Sequence, residues 1–254
     1  LPARIYKNSI LKSLHDFQVT IVVGDTGSGK TTQIPAILRE YGWASAAKGK
    51  AVACTQPRRI AAVSVAARVA EQLNSNLGSL VGHATRLDEN RCETTEIVYM
   101  TDGILFQELL GDPQLSRYSV IMLDEVHERT IHTDLLIALL RHVLLKRKDL
   151  RLILASATVE AKSLCGFYGG AKVANMLHIG GSGQFNVQIR YMTQPCTDYV
   201  RAAVGTVDLI INDGLEGDIL IFLTGREEIN EAAAALSAAH PDLNLIPLYA
   251  SLSV

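Results

Sequence analysis

The chain has 254 residues, 48% of them hydrophobic and 20% charged, with a formal net charge of −2. That size allows one large domain or two modest ones with a substantial core, and the near-neutral balance excludes a uniformly basic surface, so any nucleic-acid contact must be a local groove. The four cysteines, Cys54, Cys92, Cys165 and Cys196, lie far apart with no CxxC pair, which excludes a disulfide scaffold, and no apolar run is long enough to cross a bilayer.

The first predicted strand, 19–23, is a β-branched run that leads into Gly24-Asp25-Thr26-Gly27-Ser28-Gly29-Lys30-Thr31-Thr32. This fits G-x-x-x-x-G-K-[ST] between a strand and a helix, here predicted over 30–41. Glycines let such a loop curl so that successive backbone N–H groups point at phosphate oxygens, and the helix start adds its positive end. In this pattern Lys30 reaches the β and γ phosphates of a nucleoside triphosphate, and the Thr31 hydroxyl binds Mg²⁺.

Further predicted strands at 51–54, 96–100, 120–123 and 152–155 alternate with helices at 58–73, 103–110 and 133–146. Apolar strands alternating with amphipathic helices predict parallel βαβ units with both sheet faces covered, an α/β fold of the P-loop NTPase type. The fourth strand runs straight into Asp124-Glu125-Val126-His127. Adjacent carboxylates at a buried strand end repel and are costly to desolvate unless a cation faces them. In a P-loop nucleotidase that cation is the Mg²⁺ of the bound triphosphate. Asp124 is expected to hold it directly or through water, and Glu125, facing the same metal, to orient or deprotonate the attacking water. His127 and His132 are five apart, about 140° around a helix, so no zinc site is expected. Lys146-Arg147-Lys148 reads as a solvated helix C-terminus favoured by the macrodipole.

Residues 179–183, Ile-Gly-Gly-Ser-Gly, read as a linker. Beyond it the alternation restarts, with strands at 185–191, 218–222 and 243–247 and helices at 198–211 and 226–239. The expected organisation is a complete α/β domain over 1–180 followed by the first part of another over 181–254. A start at Leu1 and a finish just after a strand-like run make the chain look like a piece of something longer.

Six stretches follow the predicted strands in order: Thr55-Gln56-Pro57-Arg58-Arg59-Ile60-Ala61-Ala62, Thr101-Asp102-Gly103, Asp124-Glu125-Val126-His127, Ser156-Ala157-Thr158, Phe222-Leu223-Thr224-Gly225 and Pro247-Leu248-Tyr249-Ala250-Ser251-Leu252. In order and spacing they resemble the motifs of the DEAH-box RNA helicases of superfamily 2. The resemblance covers nearly the whole chain, with residues 164–183 matching least. It implies two RecA-like domains, the second incomplete here, with ATP and Mg²⁺ in the cleft between them and single-stranded RNA across their top. His127 then corresponds to the histidine linking the nucleotide site to the second domain, and Ser156 and Thr158 to the motif coupling hydrolysis to domain movement. Arg68 resembles an arginine stacking on adenine. Arg58, Arg59, Thr101 and Gly103 match residues that grip the RNA backbone, with Thr224 and Gly225 as counterparts in the second domain. The family also implies a ribonucleoprotein setting with a protein activator, pre-mRNA splicing or ribosome assembly, and an intracellular location, nuclear rather than cytoplasmic, without a membrane.

Val126 stands where the family name has Ala, and 180–185 lack the arginine and proline expected at the domain junction. No segment resembles the family's two arginines that reach the γ-phosphate. These 254 residues are therefore expected to bind ATP and to hydrolyse it slowly, since an arginine finger contributes about 10³–10⁵ in rate. Two alternatives remain: a P-loop ATPase of another kind, such as a DNA translocase or transporter motor, and a non-catalytic ATP-gated RNA clamp.

Overall fold

The computed structural model describes residues 1–157, 161–180 and 187–249. It separates into two compact units, Leu1–Phe185 and Asn186–Val254.

The first unit opens with two short helices, α1 (Pro2–Ile5) and α2 (Lys7–Asp16). Then follow β1 (Val19–Gly24), α3 (Lys30–Glu40), β2 (Ala51–Gln56), α4 (Arg59–Gln72), β3 (Val81–Ala84), β4 (Glu89–Asn90), β5 (Ile97–Thr101) and α5 (Asp102–Gly111). The unit closes with β6 (Tyr118–Leu123), α6 (Ile131–Lys146), β7 (Arg151–Ser156), α7 (Ala161–Phe167) and β8 (Ala174–Ile179). The strands form one sheet in the order β4-β3-β5-β2-β6-β7-β1-β8. Every pairing is parallel except β3 with β4, a short antiparallel edge.

All six residues of β1 and of β2 are buried, as expected for strands covered on both faces. Alternate strand residues feed two apolar layers. On one side Val22, Cys54, Tyr99, Val120 and Ile153 pack with Ile10 and Leu14 of α2, Ile34 and Leu38 of α3, and Val69 of α4. On the other Ile21, Ala53, Met100, Ile121 and Leu154 pack with Leu105 of α5 and Leu136, Leu140 and Val143 of α6. The four-residue recurrence of Leu136, Leu140 and Leu144 gives α6 its buried stripe. Its start is capped by Thr130, whose hydroxyl oxygen accepts from the Thr133 N–H at 3.1 Å.

The five predicted strands of this unit and its four helices are present. The sequence reading named none of α1, α2, β3, β4, α7 and β8. Arg147, expected at a solvated helix end, is instead buried. Its guanidinium donates to the carbonyls of Gln114, Leu115 and Tyr118 at 3.1, 2.9 and 2.9 Å and pairs with Asp149. The residue has turned back beneath the start of β6, where Leu115 holds a left-handed φ of 48°.

The second unit contains α8 (Tyr199–Asn212) and α9 (Arg226–Ala239), which pack together and bury Val200, Val207, Ala232 and Leu236. Asp208 of α8 meets His240, just past α9, at 2.6 Å. The strands expected at 185–191, 218–222 and 243–247 form no ladder among the described residues. Val187, Ile189, Tyr191, Leu220, Phe222 and Ile246 are exposed there. An extended segment without a neighbour leaves its backbone polar groups and its apolar face in water, so pattern alone does not make a strand.

Candidate functional site

The expected residues of the phosphate loop, Asp124-Glu125 and Ser156 lie at the C-terminal ends of adjacent parallel strands. The row β1, β7, β6, β2, β5 ends in Gly24, Ser156, Leu123 before Asp124, Gln56 and Thr101, with Val23 paired to Ser156 and Gln56 paired to Thr101. The chain leaves β1 through α3 and re-enters the sheet at β2, beyond β7 and β6. Ligands of open α/β sheets bind outside the strand ends at such a crossing.

Residues 24–29 form the turn between β1 and α3. Gly27 and Gly29 have φ of 82° and 85°, a region that side chains disfavour, and a Cβ on Gly29 would stand 2.9 Å from Leu1. The loop is closed by Ser28, whose N–H and hydroxyl both donate to the Asp25 carbonyl at 3.2 and 2.7 Å. Lys30, only 4% exposed, donates to the carbonyls of Gly24 and Asp25 at 2.6 and 2.9 Å. No carboxylate among the described residues comes within ion-pair distance of it. A buried ammonium held only by neutral oxygens fits an anionic ligand at this loop.

Across the intervening strand, the Thr31 hydroxyl donates to Asp124 Oδ2, a contact between residues 93 apart in sequence. Asp124 is 1% exposed and also accepts from Gln56 Nε2 at 2.8 Å and from the Glu125 N–H at 3.0 Å. Burial pushes its carboxyl above the ordinary value, while the bonds from Thr31, Gln56 and Glu125 and the charge of Lys30 pull it back. Glu125 is half-buried, and burial followed by the charge of Asp124 raises its pKa, against the pull of His127 and Lys30.

Glu125 and Arg129 bracket the one-turn helix Val126–Glu128 with φ of 52° and 50°. Left-handed φ at non-glycine residues costs on the order of 1–3 kcal/mol each, and such strain persists where the surroundings fix it. Here Arg129 is held by Asp134 through two bonds of 2.7 and 3.0 Å. His127 Nδ1 stands 3.3 Å from Glu125 Oε2 and 3.4 Å from the Ala157 N–H. A protonated ring would donate to Glu125, and a neutral one would accept from Ala157. His127 and Ser156 also line one small cavity with Ile137 and Leu164.

The other expected residues are more dispersed. Arg58 and Arg59 are exposed at the start of α4, where Arg58 meets Glu128 at 3.4 Å. Thr101 and Gly103 stand at the neighbouring β5–α5 junction, where a Cβ on Gly103 would lie 3.9 Å from His132 Nε2. Thr32 lies in the first turn of α3. Arg68 is exposed on α4 and pairs with Glu71 at 2.6 Å, away from Asp124 and Lys30 in its bonding. One turn further along α4, Gln72 accepts from Gln33 of α3 at 3.3 Å. In the second unit, the Thr224 N–H and hydroxyl both donate to Glu228 Oε2, at 3.0 and 2.5 Å, and Gly225 precedes α9. Thr158 lies outside the described residues.

A family model for the DEAD/DEAH box helicases matches residues 5–165. The chain belongs to the DEAD/DEAH box helicase family. It is 46% identical over its whole length to a putative pre-mRNA-splicing factor ATP-dependent RNA helicase of Schizosaccharomyces pombe, of which it covers 40%. It is 43% identical over 99% of its length to the probable ATP-dependent RNA helicase DHX35 of Pongo abelii, of which it covers 37%. The chain thus spans about two fifths of the length of these curated relatives.

In this helicase chain the residue that sequence reasoning passed over is Gln56. It lies within the Thr55–Ala62 motif, and its side chain binds Asp124 directly. Its signal is positional: Thr55 pairs with Leu123, so the next residues along β2 and β6 meet. Strand order supplies that neighbourhood, and one sequence does not contain it. The residues also fit a particular metal. No group of three or more His, Cys, Asp or Glu among the described residues could hold an ion. Thr31 and Asp124 offer one hydroxyl and one carboxylate, which suits Mg²⁺, an ion that keeps several waters and takes its remaining ligands from a bound phosphate.

Proposed function

We propose that the chain is the nucleotide-binding core, with part of a second RecA-like domain, of a DEAH-box ATP-dependent RNA helicase. It couples ATP hydrolysis to movement along or unwinding of RNA. The domains are taken as 1–180 and 181–254. The observation that carries this reading is the Thr31–Asp124 contact, which brings the phosphate loop and the tip of β6 to one point. Thr31 and Asp124 would hold Mg²⁺, which supplies neutralisation of the phosphate charge. Lys30 and the loop N–H groups bind the phosphates. Glu125, raised by burial and then by Asp124, would accept a proton from the attacking water. His127, Ser156 and Thr158 would link this chemistry to the second domain, and Arg68 would face the adenine. Arg58, Arg59, Thr101, Gly103, Thr224 and Gly225 would hold RNA by its backbone and so carry no base preference. The name of the Schizosaccharomyces pombe relative, a putative pre-mRNA-splicing factor, supports a role in splicing and hence a nuclear location.

The test is Glu125→Gln, assayed for ATP binding and for turnover with and without single-stranded RNA. The motor reading predicts retained ATP affinity and loss of the slow RNA-stimulated turnover expected of these residues. RNA-independent turnover that is equal in wild type and variant would instead favour an RNA clamp.

A further inference from the structure

Pro35 lies inside α3, and proline has no N–H. In an α-helix the N–H of residue 35 would donate to the carbonyl of residue 31. The Thr31 carbonyl therefore lacks its helical donor, and the proline ring crowds it as well. It is satisfied from outside the helix: the Tyr99 hydroxyl, on β5, donates to the Thr31 carbonyl at 2.8 Å. Tyr99 is fully buried, so water does not compete for this bond. The same Thr31 carries the hydroxyl that donates to Asp124. The break in α3 therefore falls under the residue whose side chain faces the carboxylate.

We propose that Tyr99 is a positioning residue for the metal-nucleotide site: its bond to the Thr31 backbone, made necessary by Pro35, fixes the Thr31 hydroxyl against Asp124. This rests on the reading of Thr31 and Asp124 as the metal-holding pair. Tyr99 bonds the Thr31 backbone and acts through Thr31. The phenol thus supplies, from β5, the donor that an intrahelical N–H would otherwise supply, and the Thr31 backbone is held with its hydroxyl against Asp124.

The experiment titrates a fluorescent ATP analogue into wild type, Tyr99→Phe, Pro35→Ala, Tyr99→Phe with Pro35→Ala, and Thr31→Ala, each with Mg²⁺ and with EDTA. Thermal unfolding confirms that each variant folds. Tyr99→Phe is expected to weaken Mg²⁺-supported binding roughly two- to tenfold, the worth of one hydrogen bond, and to leave binding in EDTA unchanged. Adding Pro35→Ala restores an N–H at position 35 and is expected to recover the Mg²⁺-supported affinity. The proposal is overturned if Tyr99→Phe leaves Mg²⁺-supported binding intact, if it weakens both conditions equally, or if Pro35→Ala gives no recovery. Loss of Mg²⁺ dependence in Thr31→Ala without any effect of Tyr99→Phe defeats the positioning role alone. Retained Mg²⁺ dependence in Thr31→Ala defeats the underlying reading of the site.

Discussion

Asp124 sets the terms of the site because it is a carboxylate held out of water. Burial raises its folded pKa above the ordinary carboxylate value, against the pull of the Thr31, Gln56 and Glu125 bonds and of Lys30. Such a group stabilises the fold fully below its unfolded pKa, and that contribution is lost as pH rises through the folded value. Asp124→Asn cannot ionise. In the absence of Mg²⁺ and nucleotide, wild type is therefore expected to lose thermal stability relative to Asp124→Asn as pH rises from the ordinary carboxylate range toward neutrality. Mg²⁺ with nucleotide should reverse that trend in wild type. A stability gap that stays constant across this range would contradict the role of burial. Arg58 is a different kind of residue: exposed, and paired at 3.4 Å with Glu128. Pairs of this sort contribute about 0–1 kcal/mol, so a phosphate can displace the glutamate. Arg58→Ala is expected to weaken RNA binding evenly across sequences and to lower the salt slope by about one. Fluorescence anisotropy with oligonucleotides of different sequence over a salt series measures both, and a loss confined to one sequence would argue against a backbone contact.

Among the elements, β6 shows how much burial a strand can carry when its neighbours cover it. Its first residue, Tyr118, packs in the core, and the carbonyl there is bound by Arg147 from the end of α6. Arg147→Ala would leave the carbonyls of Gln114, Leu115 and Tyr118 without that donor. A loss of about 2–4 kcal/mol is expected in urea unfolding, and a loss under about 1 kcal/mol would show that water replaces the guanidinium freely. Sequence did not reveal this role, because a basic triplet at a helix end looks solvated until the chain's turn back under β6 is known. The central strands were legible for the opposite reason: 19–23, 120–123 and 152–155 are continuous apolar runs that only a covered sheet accommodates. β8, Ala-Asn-Met-Leu-His-Ile, mixes polar and apolar residues and sits at the sheet edge beside β1, where one flank needs no partner. β3 carries Gly82 and His83 and β4 has two residues, too little pattern for either to stand out. The phosphate loop and Asp124-Glu125 were legible because their chemistry is local in sequence. The contributions of Gln56 and Tyr99 depend on strand order and on a bond between elements, and so needed the fold.

At the scale of the whole molecule, the two units differ in how completely they cover their apolar surface. The first buries both faces of its sheet beneath α1 to α7. The second, among its described residues, presents Val187, Ile189, Tyr191, Leu220, Phe222 and Ile246 to solvent beside the pair α8 and α9. The first unit is therefore where nucleotide binding can be tested within this chain. The central claim is that its buried ammonium and its buried carboxylate serve one magnesium triphosphate. The most direct measurement is the affinity of Lys30→Ala for a fluorescent ATP analogue in the presence of Mg²⁺, with circular dichroism confirming an unchanged fold. Because Lys30 is held only by neutral oxygens, the fold should survive its removal while affinity falls by roughly ten- to a hundredfold, the worth of charge-assisted hydrogen bonds. Affinity equal to wild type in a folded Lys30→Ala protein would contradict the account.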